Sequence, residues 1–303
     1  RQMCIRDRGW RLSEENFWKE NKIGEIVTNL KIRASYGEVG DDNVSNYSPY
    51  DFLPGYTYNN GGAVIDGEWV VGSATRGLPN ETLSWLTAKI LDIGIDLGFL
   101  NNRLNAQVDF FQRKREGLPA QRYDVLIPVE AGFSLPQENL NSDMHRGFDA
   151  SISWSDNIND FHYSIGANMT YSRFWDWEQY KPRFSNSWHE YRNSIWHRVG
   201  YVNWGYEAIG RFESWEQIAN YPIDNDRKGN RTVVPGDIMY KDQNGDGVIN
   251  GYDERPIGYR VDSTPTLNYG INLSASWKGF DLAMDWTGSG MTSWWQRYET
   301  ARP

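Results

Sequence analysis

The sequence has one cysteine, Cys4, and only four histidines in 303 residues. A single cysteine excludes an intrachain disulfide framework and every multi-cysteine zinc site. The histidines, at positions 145, 162, 189 and 197, show none of the spacings that zinc sites use. Nucleophile elbows, phosphate-binding glycine loops and dinucleotide fingerprints are also missing. The remaining acidic, basic and hydroxyl side chains show no pattern of a catalytic site, so we expect a protein that is not an enzyme.

Positive charge and long apolar runs are scarce too. Acidic residues outnumber basic ones by 40 to 31, for a formal net charge of −9, which argues against a nucleic-acid partner. The mean hydropathy is −0.70, and no run approaches the ~20 apolar residues of a membrane helix. This excludes a membrane protein that spans the bilayer with helices. It does not exclude a membrane β-barrel, because only every second side chain of a barrel strand contacts lipid. Aromatic residues are abundant, with 15 Trp, 18 Tyr and 12 Phe.

Alternation of apolar and polar residues is the strongest pattern in the chain. It extends over residues 30–36, 91–99, 104–110, 148–154, 161–171, 267–277 and 280–286. This period predicts strands with one large apolar face and one small polar face. Asp92, Asp96 and Asp109 fall on the polar face, where they would line a lumen or meet solvent. Aromatic residues lie near strand ends, as in the girdles of a membrane barrel, whereas a soluble sandwich usually has shorter strands.

The connections between these segments alternate in length. We expect short turns at residues 101–102, 155–160 and 278–279, and long connections over residues 37–89, 114–147 and 173–265. Short turns at one end and long loops at the other are typical of an outer-membrane barrel. We therefore predict an all-β fold, namely a partial antiparallel transmembrane β-barrel with long extracellular loops.

Several stretches resemble sequences of SusC/RagA-type TonB-dependent outer-membrane transporters. They are LKIRASYG at residues 30–37, LSW at 83–85, GDI followed by DQNGDG within 236–247, and GFDL at 279–282. Their order and spacing cover nearly the whole chain after Arg8. The resemblance implies a large plugged barrel in the outer membrane of a Gram-negative, Bacteroidetes-like bacterium.

The same resemblance implies import of oligosaccharides or, less often, of peptides. The implied partners are a SusD-like surface lipoprotein that acts as a lid, the TonB complex acting through a plug region, and the lipid of the outer membrane. Two other interpretations stay open at this point. One is a soluble β-rich carbohydrate-binding or adhesin domain, and the other is a passive porin.

The two ends of the chain differ from its middle. Residues 1–8 (RQMCIRDR) lack the aromatic, glycine-rich character of the rest, and we interpret them as a non-native scar to be set apart from the fold. We expect residues 9–303 to be part of a TonB-dependent receptor β-barrel, a fragment without the plug and without the last strands.

Residues 242–253 (DQNGDGVINGYD) match the spacing of a calcium-binding loop. Its candidate ligands, at positions 1, 3, 5, 7, 9 and 12 of the loop, are Asp242, Asn244, Asp246, the carbonyl of Val248, Asn250 and Asp253. Gly247 at position 6 allows the sharp turn, and position 12 is Asp instead of the usual bidentate Glu. The sequence therefore predicts a structural Ca²⁺, and the alternative is an Asx-rich turn capped by its own side chains.

The long connection over residues 173–265 is dense in aromatic residues. Flat rings beside polar groups suit the stacking of sugars, and they also suit protein interfaces. Our candidates for contact with a substrate or with the lid partner are Trp175, Trp177, Trp188 and Trp196. Trp175 and Trp177 would share one face of an extended segment. The alternative is that these rings pack on each other and hold a large loop together.

Overall fold

The computed structural model describes residues 3–20, 22–41, 50, 52–122, 124–259 and 264–294. Its strands are β1 (Met3–Arg11), β2 (Val27–Asp41), β3 (Tyr56–Ile65), β4 (Glu68–Thr75), β5 (Leu86–Phe99), β6 (Leu104–Gln121), β7 (Gln137–Ile158), β8 (Phe161–Glu178), β9 (Arg198–Val199), β10 (Asn203–Gly205), β11 (Ala208–Arg211), β12 (Ile238–Tyr240), β13 (Arg255–Gly258), β14 (Leu267–Trp277) and β15 (Phe280–Gly290). Its α-helices are α1 (Asn16–Lys19), α2 (Ile23–Ile26), α3 (Ser187–Asn193) and α4 (Trp215–Asn220), and 3₁₀ turns lie at Leu12–Glu14, Val129–Ala131 and Gly251–Asp253. The longest α-helix among these described residues, α3, has 7 residues and is too short to span a membrane.

The chain divides into two compact units. The first contains Arg1–Gly200 with Leu267–Gly288, and the second contains Tyr201–Thr266 with Ser289–Pro303. In the first unit the long strands form one sheet in the order β1-β2-β5-β6-β7-β8-β14-β15, with β9 paired to β8. The long strands lie in the sheet in the same order as along the chain, and those from β1 to β14 pair antiparallel with their neighbours, which makes the sheet an up-and-down meander. A single long-stranded sheet confirms the predicted all-β antiparallel fold, and it differs from the two packed sheets of a sandwich.

The register places side chains of one kind in rows that cross the sheet. One row runs through Ala34, Ile93, Phe110, Phe148, Tyr171 and Leu267. The adjacent row, on the opposite face, runs through Arg33, Gly94, Asp109, Asp149, Thr170 and Asn268. Large apolar side chains of the first face are exposed, and Phe110 has 57% of its surface accessible. The first face is thus the lipid-facing side of a barrel wall and the second its lumen side.

The predicted short turns connect the long strands. The β5–β6 turn comprises residues 100–103, two more than predicted, and holds Leu100, Asn101 and Asn102 at φ of 51°, 58° and 63°. The β14–β15 turn holds Lys278 and Gly279 at 48° and 88°. Positive φ at both central residues matches the right-handed twist of a hairpin. The β7–β8 turn is shorter than predicted. Strand β7 continues to residue 158, so the turn comprises residues 159–160 instead of 155–160.

The strands extend far into the segments that the sequence assigned to long connections. Strand β6 continues to Gln121, β7 already begins at Gln137, and β8 continues to Glu178. In these extensions the apolar alternation is lost, because neither face of the sheet has to meet lipid there. The backbone hydrogen bonds between neighbouring strands do not depend on that alternation, and they continue the sheet.

Residues 3–8 belong to the sheet, whereas the sequence suggested setting residues 1–8 apart. Strand β1 lies antiparallel to β2, with Met3 opposite Val39 and Arg11 opposite Lys31. The backbone ladder explains this placement, since pairing needs no particular side chain. A strand pairing does not bear on where these residues come from, so their non-native origin stays a prediction.

A further hairpin lies within the connection of residues 37–89. Strands β3 and β4 pair antiparallel, with Ile65 opposite Glu68. The turn residues Asp66 and Gly67 have φ of 51° and 86°. An Asp-Gly pair between two runs of strand-forming residues is a strong hairpin signal, and it could have been read from the sequence.

The second unit has its own small core. Phe212, Ile218 and Val233 are buried together, and Tyr221 and Met239 pack against them. Strand β10 pairs with β13 and β11 with β12. Much of the segment that the sequence treated as one long connection is therefore a compact structure of its own.

Candidate functional site

An ion-paired network covers part of the lumen face. Arg33 on β2 donates from Nε and Nη2 to Asp96 on β5, at 3.0 Å and 2.8 Å. The same Nη2 reaches Asp109 on β6, two strands away, at 3.0 Å. Gln107 donates to Asp109 as well, at 3.1 Å. The structure confirms that Asp96 and Asp109 lie on the polar face, and it adds Arg33 as the cation that joins them.

Gly94 lets this ion pair cross the sheet. It is the cross-strand partner of both Arg33 and Asp109, so it lies directly beneath the pair. A Cβ atom at this position would be 2.8 Å from Arg33 Nη2 and would overlap with the Asp109 carboxylate. Only glycine leaves room for the guanidinium to reach the third strand.

The aromatic candidates Trp177 and Trp196 meet at one histidine. The ring of His197 stacks on Trp177 at 4.3 Å and on Trp196 at 5.2 Å, with 16° between the ring planes in both cases. The N–H of His197 donates to the carbonyl of Trp177 at 3.2 Å, which holds this segment against β8. The side chain of Trp196 is 53% exposed, so the stack presents a flat indole to solvent.

The other two tryptophans make different contacts. Trp175 is half-buried in β8, with the Arg146 guanidinium 4.0 Å above its ring. Trp188 lies in α3, where its ring is 5.4 Å from that of Tyr191. Trp175 and Trp177 therefore lie on a strand, where the sequence placed them in a long loop, and their role in substrate or partner contact stays a prediction.

A charged cluster ties the β6–β7 connection to the end of β8. Asp124 accepts hydrogen bonds from the Tyr180 hydroxyl at 3.1 Å and from Lys181 Nζ at 3.0 Å. Arg122 also donates to Asp124, at 3.3 Å. Hydrogen bonds from Arg122 and Lys181 hold the pKa of the Asp124 carboxyl well below its usual range. Sequence reasoning missed this cluster because Tyr180 and Lys181 lie more than 50 residues from Asp124.

In the second unit, residues 242–247 form a tight turn around one carboxylate. The N–H of Gly245 donates to Asp242 Oδ1 at 2.6 Å, and the N–H of Gly247 donates to Asp242 Oδ2 at 2.8 Å. Both glycines have positive φ, 77° and 81°. Glycine adopts this conformation without the steric cost that a Cβ would bring, and so the chain can wrap around Asp242.

Three of the predicted calcium ligands converge. One carboxylate oxygen of each of Asp242, Asp246 and Asp253 lies within 4.8 Å of the other two. Asp253 is completely buried and accepts from the N–H groups of Gln243 and Asn250, at 2.9 Å and 2.8 Å. Three carboxylates this close repel one another unless a cation lies among them.

The remaining predicted ligands join this cluster through hydrogen bonds. The side-chain amides of Asn244 and Asn250 donate to Asp246 Oδ2, at 2.9 Å and 3.1 Å. Asn250 also donates to the carbonyl of Val248 at 3.1 Å, which leaves that oxygen one further lone pair. The pKa of Asp246 is lowered, first by the hydrogen bond from Asn244 and then by that from the N–H of Val248. The Asx-capped turn and a cation site are thus compatible in one loop.

Known proteins with similar sequences are TonB-dependent receptors, although no protein-family model matches the chain. TonB-dependent receptor P3 of Formosa agariphila is 28% identical over 279 residues, which are 90% of this chain and 26% of the relative. TonB-dependent receptor SusC of Bacteroides thetaiotaomicron is 28% identical over 283 residues, which are 87% of this chain and 27% of the relative. The chain thus spans about a quarter of the length of these relatives.

Solved structures show the same fold. The RagAB peptide importer in its open-open state superposes with a TM-score of 0.63 and 22% identity, over 95% of this chain and 28% of that one. Its closed-closed state gives a TM-score of 0.58 over 96% of this chain and 29% of that one. The strand order and the two-faced wall match part of an outer-membrane β-barrel. The chain is homologous in sequence to TonB-dependent receptors, SusC among them, and its fold corresponds to part of the barrel of the RagAB peptide importer.

Proposed function

We propose that the full-length protein containing this chain imports oligosaccharides across the outer membrane in a TonB-dependent manner, with a SusD-like surface lipoprotein as its lid. The main support for the proposal is the contrast between the two faces of the long-stranded sheet. One face carries continuous apolar rows, and the other carries the Arg33–Asp96–Asp109 network. A polar, ion-paired lumen suits hydrophilic cargo that the lipid bilayer would exclude.

The aromatic stack supports sugars as the cargo class. The exposed ring of Trp196, backed by His197 and Trp177, offers a flat apolar surface beside polar groups. Sugar rings present C–H faces that pack on such a surface while their hydroxyls bond to water or protein. Peptides are the second candidate, because the solved structures with this fold belong to a peptide importer.

Uptake in cells tests this proposal. A strain that lacks the gene should lose uptake of a labelled oligosaccharide, and the wild-type gene should restore it. Trp196→Ala should reduce uptake. The control Trp215→Ala changes an exposed tryptophan of α4 that is not one of the contact candidates, and it should have a smaller effect. Loss of peptide uptake alone would favour the second candidate, and unchanged uptake of both cargoes would refute import.

We also propose that residues 242–253 bind one structural Ca²⁺. Support comes from the ligand spacing and from the convergence of Asp242, Asp246 and Asp253 within 4.8 Å. Because protein oxygens would occupy most of the coordination shell, the ion would hold the loop together and would not catalyse a reaction. Extracellular calcium modules typically bind at ~10⁻⁴ to 10⁻³ M, and we expect an affinity in this range.

Calorimetric titration of EDTA-treated full-length protein in detergent tests the calcium site. The wild type should release binding heat with Ca²⁺, and Asp242→Asn should abolish it. Glu213→Gln is a matched control, since Glu213 is an exposed carboxylate of the same unit outside the cluster. Equal heats for wild type and Asp242→Asn would refute the site.

A further inference from the structure

One arginine on the lumen face lies outside the ion-paired network. Arg113 on β6 points to the same side as Asp109, because successive side chains of a strand alternate between its faces, and it is exposed. Two other arginines of this face are paired with carboxylates, Arg33 with Asp109 and Arg115 with Asp143. Arg113 forms no ion pair with a carboxylate among the described residues. Its charge is therefore available to an anion in the lumen.

Arg113 lies beyond the lipid band, on the long-loop side of the wall. On β6, β7 and β8, the last apolar row of the lipid side runs through Phe110, Phe148 and Tyr171. Arg113 is three residues further along β6, and three residues of a strand span about 10 Å. It is therefore at the outer mouth of the lumen, where imported cargo first meets the wall.

A histidine on the next strand adds a second hydrogen-bond donor. His145 is the cross-strand neighbour of Arg113, and Arg113 Nη2 donates to His145 Nδ1 at 3.4 Å. Burial, and then the charge of Arg113, lowers the pKa of His145, so the neutral ring predominates at pH 7. Because Nδ1 accepts, the proton of the neutral ring is on Nε2, which can donate to a ligand. Phe174 packs against the imidazole at 4.9 Å and holds it in place.

An aromatic ring lies beside these two donors. Phe111 is the next residue inward on the same face of β6, and Gly147 is its cross-strand neighbour. A Cβ atom on Gly147 would be 2.8 Å from Phe111 Cζ, so the phenyl ring lies over this glycine. The lumen face thus offers an apolar surface next to the guanidinium and the imidazole.

The nearest carboxylates do not cancel the charge of Arg113. Asp143, one row outward from His145, is buried and accepts from Arg115 Nε at 2.8 Å. Asp176 faces Asp143 across the β7–β8 pairing, two strands away from Arg113 and one row outward. Strand spacing and rise place it about 12 Å from Arg113. That separation exceeds the Debye length of about 8 Å at physiological ionic strength.

We propose that Arg113 and His145 bind the acidic group of an oligosaccharide, either a carboxylate or a sulfate ester. The inference rests on the proposed import of oligosaccharides and assigns the cargo to the acidic class. The guanidinium fork donates to two oxygens of the group, and His145 Nε2 donates to one of them. A C–H face of the sugar ring packs on Phe111, beside the charge.

Calorimetric titration of the full-length protein in detergent with matched probes tests the proposal. One pair of probes is an oligogalacturonide and its neutral methyl ester, and the other is a sulfated galactan oligosaccharide and its desulfated form. The wild type should bind the acidic member of at least one pair about tenfold more tightly than the neutral member, as expected for a charge-assisted hydrogen bond.

Variants assign this preference to the site. Arg113→Gln should weaken binding of the acidic probe about tenfold and change the affinity for its neutral counterpart less than twofold. Arg103→Gln is the matched control, because Arg103 is on the β5–β6 turn and pairs with Asp156, and it should change both affinities less than twofold. Heat-modifiable gel migration checks that each variant is folded.

The outcomes separate this inference from the import proposal. Preference for the uronate or for the sulfate names the source of the charge. Equal affinities of the wild type for acidic and neutral probes would overturn the inference and leave oligosaccharide import intact, and so would an unchanged preference in folded Arg113→Gln. Absence of binding for all four probes would overturn the inference together with oligosaccharides as the cargo class. Binding of an acidic peptide that depends on Arg113 would then assign the site to peptides.

Discussion

Gly94→Ala tests the ion pair that crosses the barrel wall. The added Cβ would be 2.8 Å from Arg33 Nη2 and would overlap with the Asp109 carboxylate, so the pair has to separate. A hydrogen bond to a charged group contributes roughly 1.5–3 kcal/mol. The Arg33 and Asp109 side chains are only 29% and 16% exposed, so solvent screens them only partly.

A second effect opposes the first. Glycine in a strand interior is less stable than alanine by about 0.5–1 kcal/mol, because it loses more backbone entropy on folding. The two effects together predict a net loss of about 1 kcal/mol for Gly94→Ala. In the Asp109→Ala background the overlap with the carboxylate is absent, and only the Arg33 guanidinium, at the end of a flexible side chain, still has to shift. Gly94→Ala should then be neutral or stabilise the protein by up to about 0.5–1 kcal/mol.

The assay is urea unfolding of the full-length protein in detergent, in which tryptophan fluorescence and heat-modifiable gel migration report the unfolded fraction. Four proteins complete a double-mutant cycle, namely wild type, each single variant and the double variant. The expected signature is a change of sign, so that Gly94→Ala destabilises the wild type but is neutral or stabilising in the Asp109→Ala background. The same free-energy change in both backgrounds would refute the crossing role of Gly94.

Three further predictions concern turns and carboxylates. The Thr232 hydroxyl and the N–H groups of Thr232, Lys228 and Asn230 lower the pKa of Asp226, so its stabilising effect is present above the unfolded-state pKa of about 3.9 and is lost as pH falls through the lower folded pKa. Asp226→Asn should therefore be less stable than the wild type at pH 7, and its free energy of unfolding should fall less steeply as the pH is lowered. The same fall with pH in both proteins would contradict this. Gly279 has φ of 88°, so Gly279→Ala should lower the free energy of unfolding by about 1–2 kcal/mol, as measured by urea unfolding. The control Gly9→Ala changes a strand glycine whose added Cβ would come close only to the flexible Lys31 side chain. It should lower the free energy of unfolding by less. EDTA should lower the melting temperature of the wild type but not of Asp242→Asn, and equal shifts in both would count against the calcium loop.

Side-chain alternation was enough to predict the lipid-facing parts of seven long strands and the face that each of them presents. Alternation over residues 267–277 predicted β14 with the observed bounds, because lipid on one side and polar surroundings on the other impose a period of two. The turn dipeptides Asn101-Asn102 and Lys278-Gly279 were recognisable because local chemistry favours their positive φ. The spacing of residues 242–253 likewise predicted that Asp242, Asp246 and Asp253 converge, since a single loop brings its own residues together.

Features that arise from the pairing of neighbouring strands are seen only in the folded sheet. The extensions of β6, β7 and β8 beyond the lipid band come from backbone pairing, which leaves no side-chain period to read. The reach of Arg33 across Gly94 to Asp109 joins residues 76 positions apart, through a register that no local pattern specifies.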